Sequence, residues 1–371
     1  INNATPFCGN PGCVALNIFQ NGGVGGPGRL VVGTGVTLAT LRTQLQAGTV
    51  ADLAQLFVAG NLNNHPTVAN PALTPFVSFY RNPNIGQIEL FTNAGYYNYN
   101  SLQLEVRRRF SQGLYFQANY TLSRNITDTV GTSQQLFEPY LQNNRRELDR
   151  QRADFDQTHT FNFNGIYQLP FGKGKKFMNM GGGWDKLFGG WELSGLMQWN
   201  TGAPISLVDS RGTLNRGVRS GRQTPYSTLT DAQISALGGV FNAANGNIYW
   251  INPSVIGTNG TAATGYTYPG LSTNTTFDGQ VFFNLSPGQT GNIGRTQING
   301  PRSLNINAAL LKSVRFTESI RVQLRAEAFN VLNNTNFRNN TQLANINSTT
   351  FGQITSAADA RIFQFAARFE F

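Results

Sequence analysis

The sequence predicts an all-β chain: a portion of an antiparallel transmembrane β-barrel, with about seven spanning strands and long extracellular loops carrying short helices. Three observations predict it. Apolar and polar residues alternate at seven places, each over about the 9–11 residues that a tilted strand needs to cross a bilayer. Charged residues make up 12% of the chain against about 25% in ordinary soluble domains, while Gly is 41 and Phe 27. The connections between the alternating stretches are by turns short and long. Mean hydropathy is −0.26, and no apolar run reaches the roughly 18 residues of a membrane helix. A barrel is compatible with both, because only alternate residues face lipid.

Residues 1–96 read as an extracellular region without spanning strands. They hold Gly-rich coil and two stretches of helical spacing, TLATLRTQLQA (37–47) and TVADLAQLFVA (49–59). GQIELFTN (86–93) is expected to hairpin with the following strand above the membrane. Cys8 and Cys13 enclose GNPG, whose turn chemistry brings the thiols together, so a disulfide in an oxidising compartment is expected. A metal site there would need more ligands, and no His is near. No secretory signal opens the sequence, the pattern expected of a mature or fragmentary chain.

The barrel region is read as residues 97–371. In its first strand Leu102, Leu104 and Val106 oppose Gln103, Glu105 and Arg107. After the turn Ser111-Gln112-Gly113, Leu114, Phe116, Ala118, Tyr120 and Leu122 oppose Gln117, Asn119 and Thr121. The third alternates Phe161, Phe163, Gly165, Tyr167 and Leu169 with Asn162, Asn164 and Gln168. The fourth sets Trp191, Leu193, Gly195, Met197 and Trp199 against Glu192, Ser194, Gln198 and Asn200. The fifth sets Leu304, Ile306, Ala308 and Leu310 against Asn305 and Asn307. In the sixth, Ile320, Val322, Leu324, Ala326 and Ala328 oppose Arg321, Gln323, Arg325 and Glu327. The last, RIFQFAARFEF (361–371), places Phe363, Phe365, Ala367, Phe369 and Phe371 opposite Gln364, Arg368 and Glu370.

The polar faces decide between barrel and sandwich. Arg321, Gln323, Arg325 and Glu327 are too polar for one layer of a closed sandwich core, and suit a wet lumen where opposite charges pair. Phe116, Phe163, Leu193, Leu324 and Phe365 are therefore expected to face lipid. Gln117, Asn164, Arg321, Arg325, Glu327 and Arg368 are expected to face the lumen.

The long connections fall at roughly 124–157, 203–300 and 333–358. Short turns facing the periplasm and long loops facing outward place the chain in a bacterial outer membrane, in contact with its lipid. In the longest loop, TDAQISALGGVF opens with a Thr230 to Gln233 capping-box spacing and predicts a helix.

The net charge of +10 does not point to nucleic acid, because Lys and Arg are scattered and the densest group, Arg107-Arg108-Arg109, ends a strand. Anionic lipid headgroups account for such residues. GVGGPG (23–28) lacks the flanking strand and helix of a dinucleotide loop. FGKGKK (171–176) lacks phosphate-loop spacing and reads as a solvated basic turn. Asp154, Asp156 and His159 do not share one strand face, so a loop-to-strand transition with Asp-bonded turns is expected in place of a metal site. His65 lies in the first outer segment, and no Ser, His and Asp set stands out. Neither an enzyme nor a cofactor is expected.

Several linked segments resemble the C-terminal barrel of TonB-dependent outer-membrane receptors of the Oar-like kind. They are NYNSLQLEVRRRFSQGLYFQANYTLSRNITD, RADFDQTHTFNFNGIYQLPFGKGKKF, GGWELSGLMQWNTGAPIS, NGPRSLNINAALLKSVRFTESIRVQLRAEAFNVLNNTNF and FGQITSAADARIFQFAARFEF, in order over about residues 75–371. The resemblance implies a barrel of about 22 strands, a plug and an N-terminal β-sandwich, with import of a substrate powered through TonB. Sandwich, plug and the first two-thirds of the barrel have no counterpart here, so the remaining strands, the plug and any TonB contact are expected from another polypeptide segment. An odd number of strands, about 15, would complete the barrel; a cut or break in an outer loop before Ile1 is the simplest origin. The resemblance also makes Phe363, Phe365, Phe369 and Phe371 the strand signal read by the barrel-assembly machinery. The other reading is a structural or adhesive surface barrel whose large loops bind partners or matrix.

Overall fold

The computed structural model describes residues 93–129, 140–142, 144–179, 181–211, 223–244, 246–263, 277–285, 288–317, 320–338 and 344–371. Cys8, Cys13, His65, GVGGPG, both early helical stretches and nearly all of 86–93 lie outside them.

Alternation over nine to fifteen residues yields seven long strands. They are β1 (Tyr97–Ser111), β2 (Leu114–Thr127), β3 (His159–Gln168), β4 (Trp191–Asn200), β5 (Ser303–Arg315), β6 (Arg321–Phe329) and β7 (Ile362–Glu370). Each pairs antiparallel with its neighbour in chain order to form one sheet, and the two-residue strand Gln151–Arg152 adds to the far end of β2. Among the described residues neither β1 nor β7 has a second partner, so the described sheet is open.

Turn chemistry fixes the register. Gln112 (φ 52°) and Gly113 (φ 80°) both take positive φ, the backbone of the tight turn whose twist matches paired strands. A register shift between Arg108 and Ser111 precedes it. A Cβ on Gly113 would stand 3.2 Å from the Gln168 carbonyl oxygen, so β2 and β3 also meet closely here.

The register then carries the alternation across the sheet. One row reads Leu114, Tyr167, Leu193, Leu310, Ala326, Phe365 across six strands. A second row on that face reads Leu104, Tyr120, Phe161, Trp199, Leu304. On the opposite face Glu105, Asn119, Asn162, Gln198 and Asn305 stand side by side. A one-residue slip in any strand would exchange the two faces, so continuity over this many strands pins the register.

The buried apolar core of the described residues lies outside the sheet. The connection 201–302 leaves and returns through one point: Gly300 N–H donates to the Ala203 carbonyl, and a Cβ on Gly202 would fall 1.9 Å from the Gly300 carbonyl oxygen. Only glycine allows that approach. Beyond this stem, Leu207, Ile234, Ile251, Val255, Phe282, Ile293 and Ile298 pack with Ile346 and Phe351 from the connection after β6. Short ladders brace the unit: Pro204–Ile205 with Ile298–Asn299, Tyr226–Ser227 with Phe282–Phe283, and Gly238–Asn242 with Ile248–Ile251.

Two helices are described, α1 (Gly183–Phe188) between β3 and β4, and α2 (Asp231–Ser235) in the long connection. Thr230 and Gln233 form the expected capping box. The helical pattern, however, ends early. Gly238-Gly239 and the β-forming Val240 and Phe241 turn its second half into a strand.

Candidate functional site

Two parts of the molecule carry chemistry: the polar face of the sheet, and the assembly at the end where the long connections emerge. On the polar face Gln117 and Asn164 lie directly opposite each other in the β2–β3 register. Gln117 Nε2 donates to Glu105 Oε1 at 3.1 Å. On β6, away from this pair, the Arg325 guanidinium pairs with Glu327 at 2.5 Å, and Arg321 donates to Ser313 Oγ at 3.2 Å. On β7, Arg368 pairs with Glu370 at 3.1 Å. The six residues expected to face the lumen lie on one face of the sheet, as two separate groups. Arg321, Arg325 and Arg368 each have a carboxylate or hydroxyl partner on that face, as charges lining a wet surface do.

The long-connection assembly is held by buried polar groups. Arg295 and Asp149 form an ion pair at 3.0 Å with side chains 7% and 0% exposed, and Leu141 N–H donates to the other Asp149 oxygen at 2.9 Å. Thr296 Oγ1 donates to the Arg152 carbonyl at 2.9 Å, and Arg152 reaches Asn299 Oδ1 at 2.7 Å. These bonds tie residues 140–156 to the globule of 203–299. A second buried carboxylate, Asp209, accepts from the Leu285 and Arg211 backbone N–H groups and from Asn347 Nδ2. It therefore joins the connection after β6 to the same unit. In the short 3₁₀ turn Arg146–Asp149, the Glu147 carboxyl is held below its ordinary range, first by its own backbone N–H and then by Arg145.

An asparagine cluster anchors this assembly to the sheet. Asn330 ends β6 at φ 51°; its side chain donates to the Asn334 carbonyl and accepts from the Asn334 N–H, both at 2.9 Å. Asn336 exchanges hydrogen bonds with both backbone groups of Leu304 on β5, at 2.8 and 2.9 Å. Short Asn side chains suit such sites because they tolerate positive φ and mimic backbone groups.

Asp156 accepts from the Asn125 backbone and pairs with Arg152 at 2.9 Å, while His159 Nδ1 meets the Tyr120 hydroxyl at 2.8 Å between Tyr120 and Trp199 rings. Asp156 and His159 are thus engaged apart from each other, in an Asp-bonded loop leading into β3. Phe363, Phe365 and Phe369 line one face of β7, with Phe365 77% exposed. Phe371 lies one residue past the strand.

Sequence periodicity missed the globule, the Asp149–Arg295 pair and the asparagine cluster. The available signals were the isolated Ile, Leu and Phe residues scattered through 203–300 and the NVLNNTN run after β6.

A family model described as an outer membrane beta barrel domain matches residues 40–364. No curated protein and no solved structure matches the chain.

Proposed function

The chain belongs to the outer membrane β-barrel domain family, and on that premise we propose that it is the C-terminal barrel portion of a TonB-dependent importer of the Oar-like kind. Its apolar face meets lipid, its polar face lines the lumen, and its long connections stand outside the cell. The plug, the TonB-contacting segment and the remaining strands come from polypeptide outside the described sheet. The role is passage and docking of a substrate, not catalysis.

The open sheet is the observation that carries this reading. All seven long strands pair antiparallel in chain order, so β1 and β7 run the same way. Joining them would require a parallel pair in a sheet that has none, and leaving them open would expose unpaired backbone groups to lipid, at several kcal/mol each. An odd number of further strands satisfies both edges. With about 15 further strands, the number the family resemblance implies, the lumen is too wide for side chains to fill, and a plug occupies it.

Photo-crosslinking groups placed at Ser101 on β1 and at Gln364 on β7, both exposed, test it in the protein isolated from outer membranes. The expected products join each edge to polypeptide outside residues 97–371, with a plug segment recovered from the lumen. A direct link between the two sites would mean a self-closed barrel and refute the proposal. A complete barrel with no plug would replace import by the adhesive role.

A further inference from the structure

The connection between β3 and β4, read from sequence as a solvated basic turn, is folded back onto the sheet. Phe177 N–H donates to the Pro170 carbonyl and Gly172 N–H to the Phe177 carbonyl. The Lys173 N–H donates to Asp185 Oδ1 at 2.5 Å, so the one acid of residues 170–190 is engaged by backbone. The C-terminal end of α1 lies against the apolar face. Trp191 Nε1 donates to the Leu187 carbonyl at 3.2 Å, and Lys312 Nζ to the Leu187 carbonyl at 2.9 Å and to the Gly189 carbonyl. Trp191 and Lys312 face each other in the β4–β5 register, one step beyond Leu193 and Leu310. Phe177, Met178, Trp184, Leu187 and Phe316 are left exposed, Trp184 at 58%. Exposed Lys173, Lys175, Lys176 and Lys186 stand among them, with the Lys186 ammonium 5.2 Å from the Phe316 ring centre.

We propose that this turn binds anionic phospholipid in the leaflet on the short-turn side. The four lysines meet headgroup phosphates, and Trp184 and Leu187 enter the acyl boundary. The inference rests on the reading that the apolar face meets lipid. Charge selects the partner: four lysines surround one engaged carboxylate, and an aromatic band merging into a basic collar matches the layering of an anionic leaflet. Lys312 is different in kind, because helix-end carbonyls and the Trp191 ring already hold it.

The test uses the complete barrel reconstituted in phosphatidylcholine vesicles containing either chain-brominated phosphatidylglycerol or chain-brominated phosphatidylcholine at equal mole fraction. Trp184 fluorescence is taken as the part lost on Trp184→Phe. Quenching by the anionic lipid should be at least about five-fold more effective, the share of one engaged lysine. Combining Lys173→Gln, Lys175→Gln, Lys176→Gln and Lys186→Gln should abolish the preference without unfolding, since none of these ammonium groups is buried. Equal quenching by both lipids in the unaltered protein would overturn the proposal, as would loss of the preference to competing inorganic phosphate. If neither lipid quenches any tryptophan, the assignment of the apolar face itself falls.

Discussion

Replacing Asp149 by Ala should loosen the long-connection assembly while leaving the sheet intact. The carboxylate is fully buried, faces Arg295 at 3.0 Å and accepts the Leu141 N–H. Removing one member of a buried ion pair costs about 3–5 kcal/mol, because the other charge stays out of water. At about 1.4 kcal/mol per decade, amide protection near the seam should fall by about two to four orders of magnitude. Hydrogen–deuterium exchange of the barrel in detergent reads this directly at Leu141 and Thr296, with β3–β4 amides as the internal control. A second variant separates charge from packing. Asp149→Leu combined with Arg295→Met removes both charges and should restore most of the protection at Thr296, since well-packed apolar replacements of buried pairs are near neutral, while the Leu141 N–H, its acceptor gone, stays exposed to exchange. Unchanged exchange in Asp149→Ala would refute the claim that this pair holds the seam. A double variant no better than the single one at Thr296 would refute the electrostatic account.

Three further outcomes test the sheet and its anchor. Ala326→Arg on the apolar face, in the mid-strand row of Leu310 and Phe365, should cost about 2–4 kcal/mol of folding stability in lipid vesicles if it faces the bilayer, whereas Arg325→Leu beside it should cost far less; equal penalties would overturn the facing of β6. Gly113→Ala should destabilise the β1–β2 hairpin by about 1 kcal/mol, because a Cβ meets φ 80° there and crowds Gln168, and denaturant titration should show a lower midpoint. Asn330→Ala removes the Asn334 bonds at 2.9 Å and leaves a non-glycine residue at φ 51°, so about 2–3 kcal/mol should be lost, read as faster proteolysis between β6 and β7.

The sheet was legible because its signal is local and repeated. Each strand announces itself with a period of two, and strands that follow one another usually pair, so seven alternations in order already imply the ladder from Tyr97 to Glu370. The faces were legible for the same reason: Arg325 and Glu327 differ from Leu324 and Ala326 by one position. The globule on the long connections offers no such signal. Its core gathers Leu207, Ile251 and Phe282 with Ile346 and Phe351, single apolar residues far apart in sequence, on loops and on strands of two to four residues. Its polar fastening is no more visible. Asp149 and Arg295 stand 146 positions apart, and nothing local distinguishes either from a solvated charge. The same limit applied to FGKGKK, where composition gave a basic turn but only the Trp191 and Lys312 contacts with α1 showed which face it covers. Patterns of period two specify what a bilayer sorts. What closes over the sheet is specified by long-range complementarity, and that becomes readable only once the strands have fixed where each connection starts and returns.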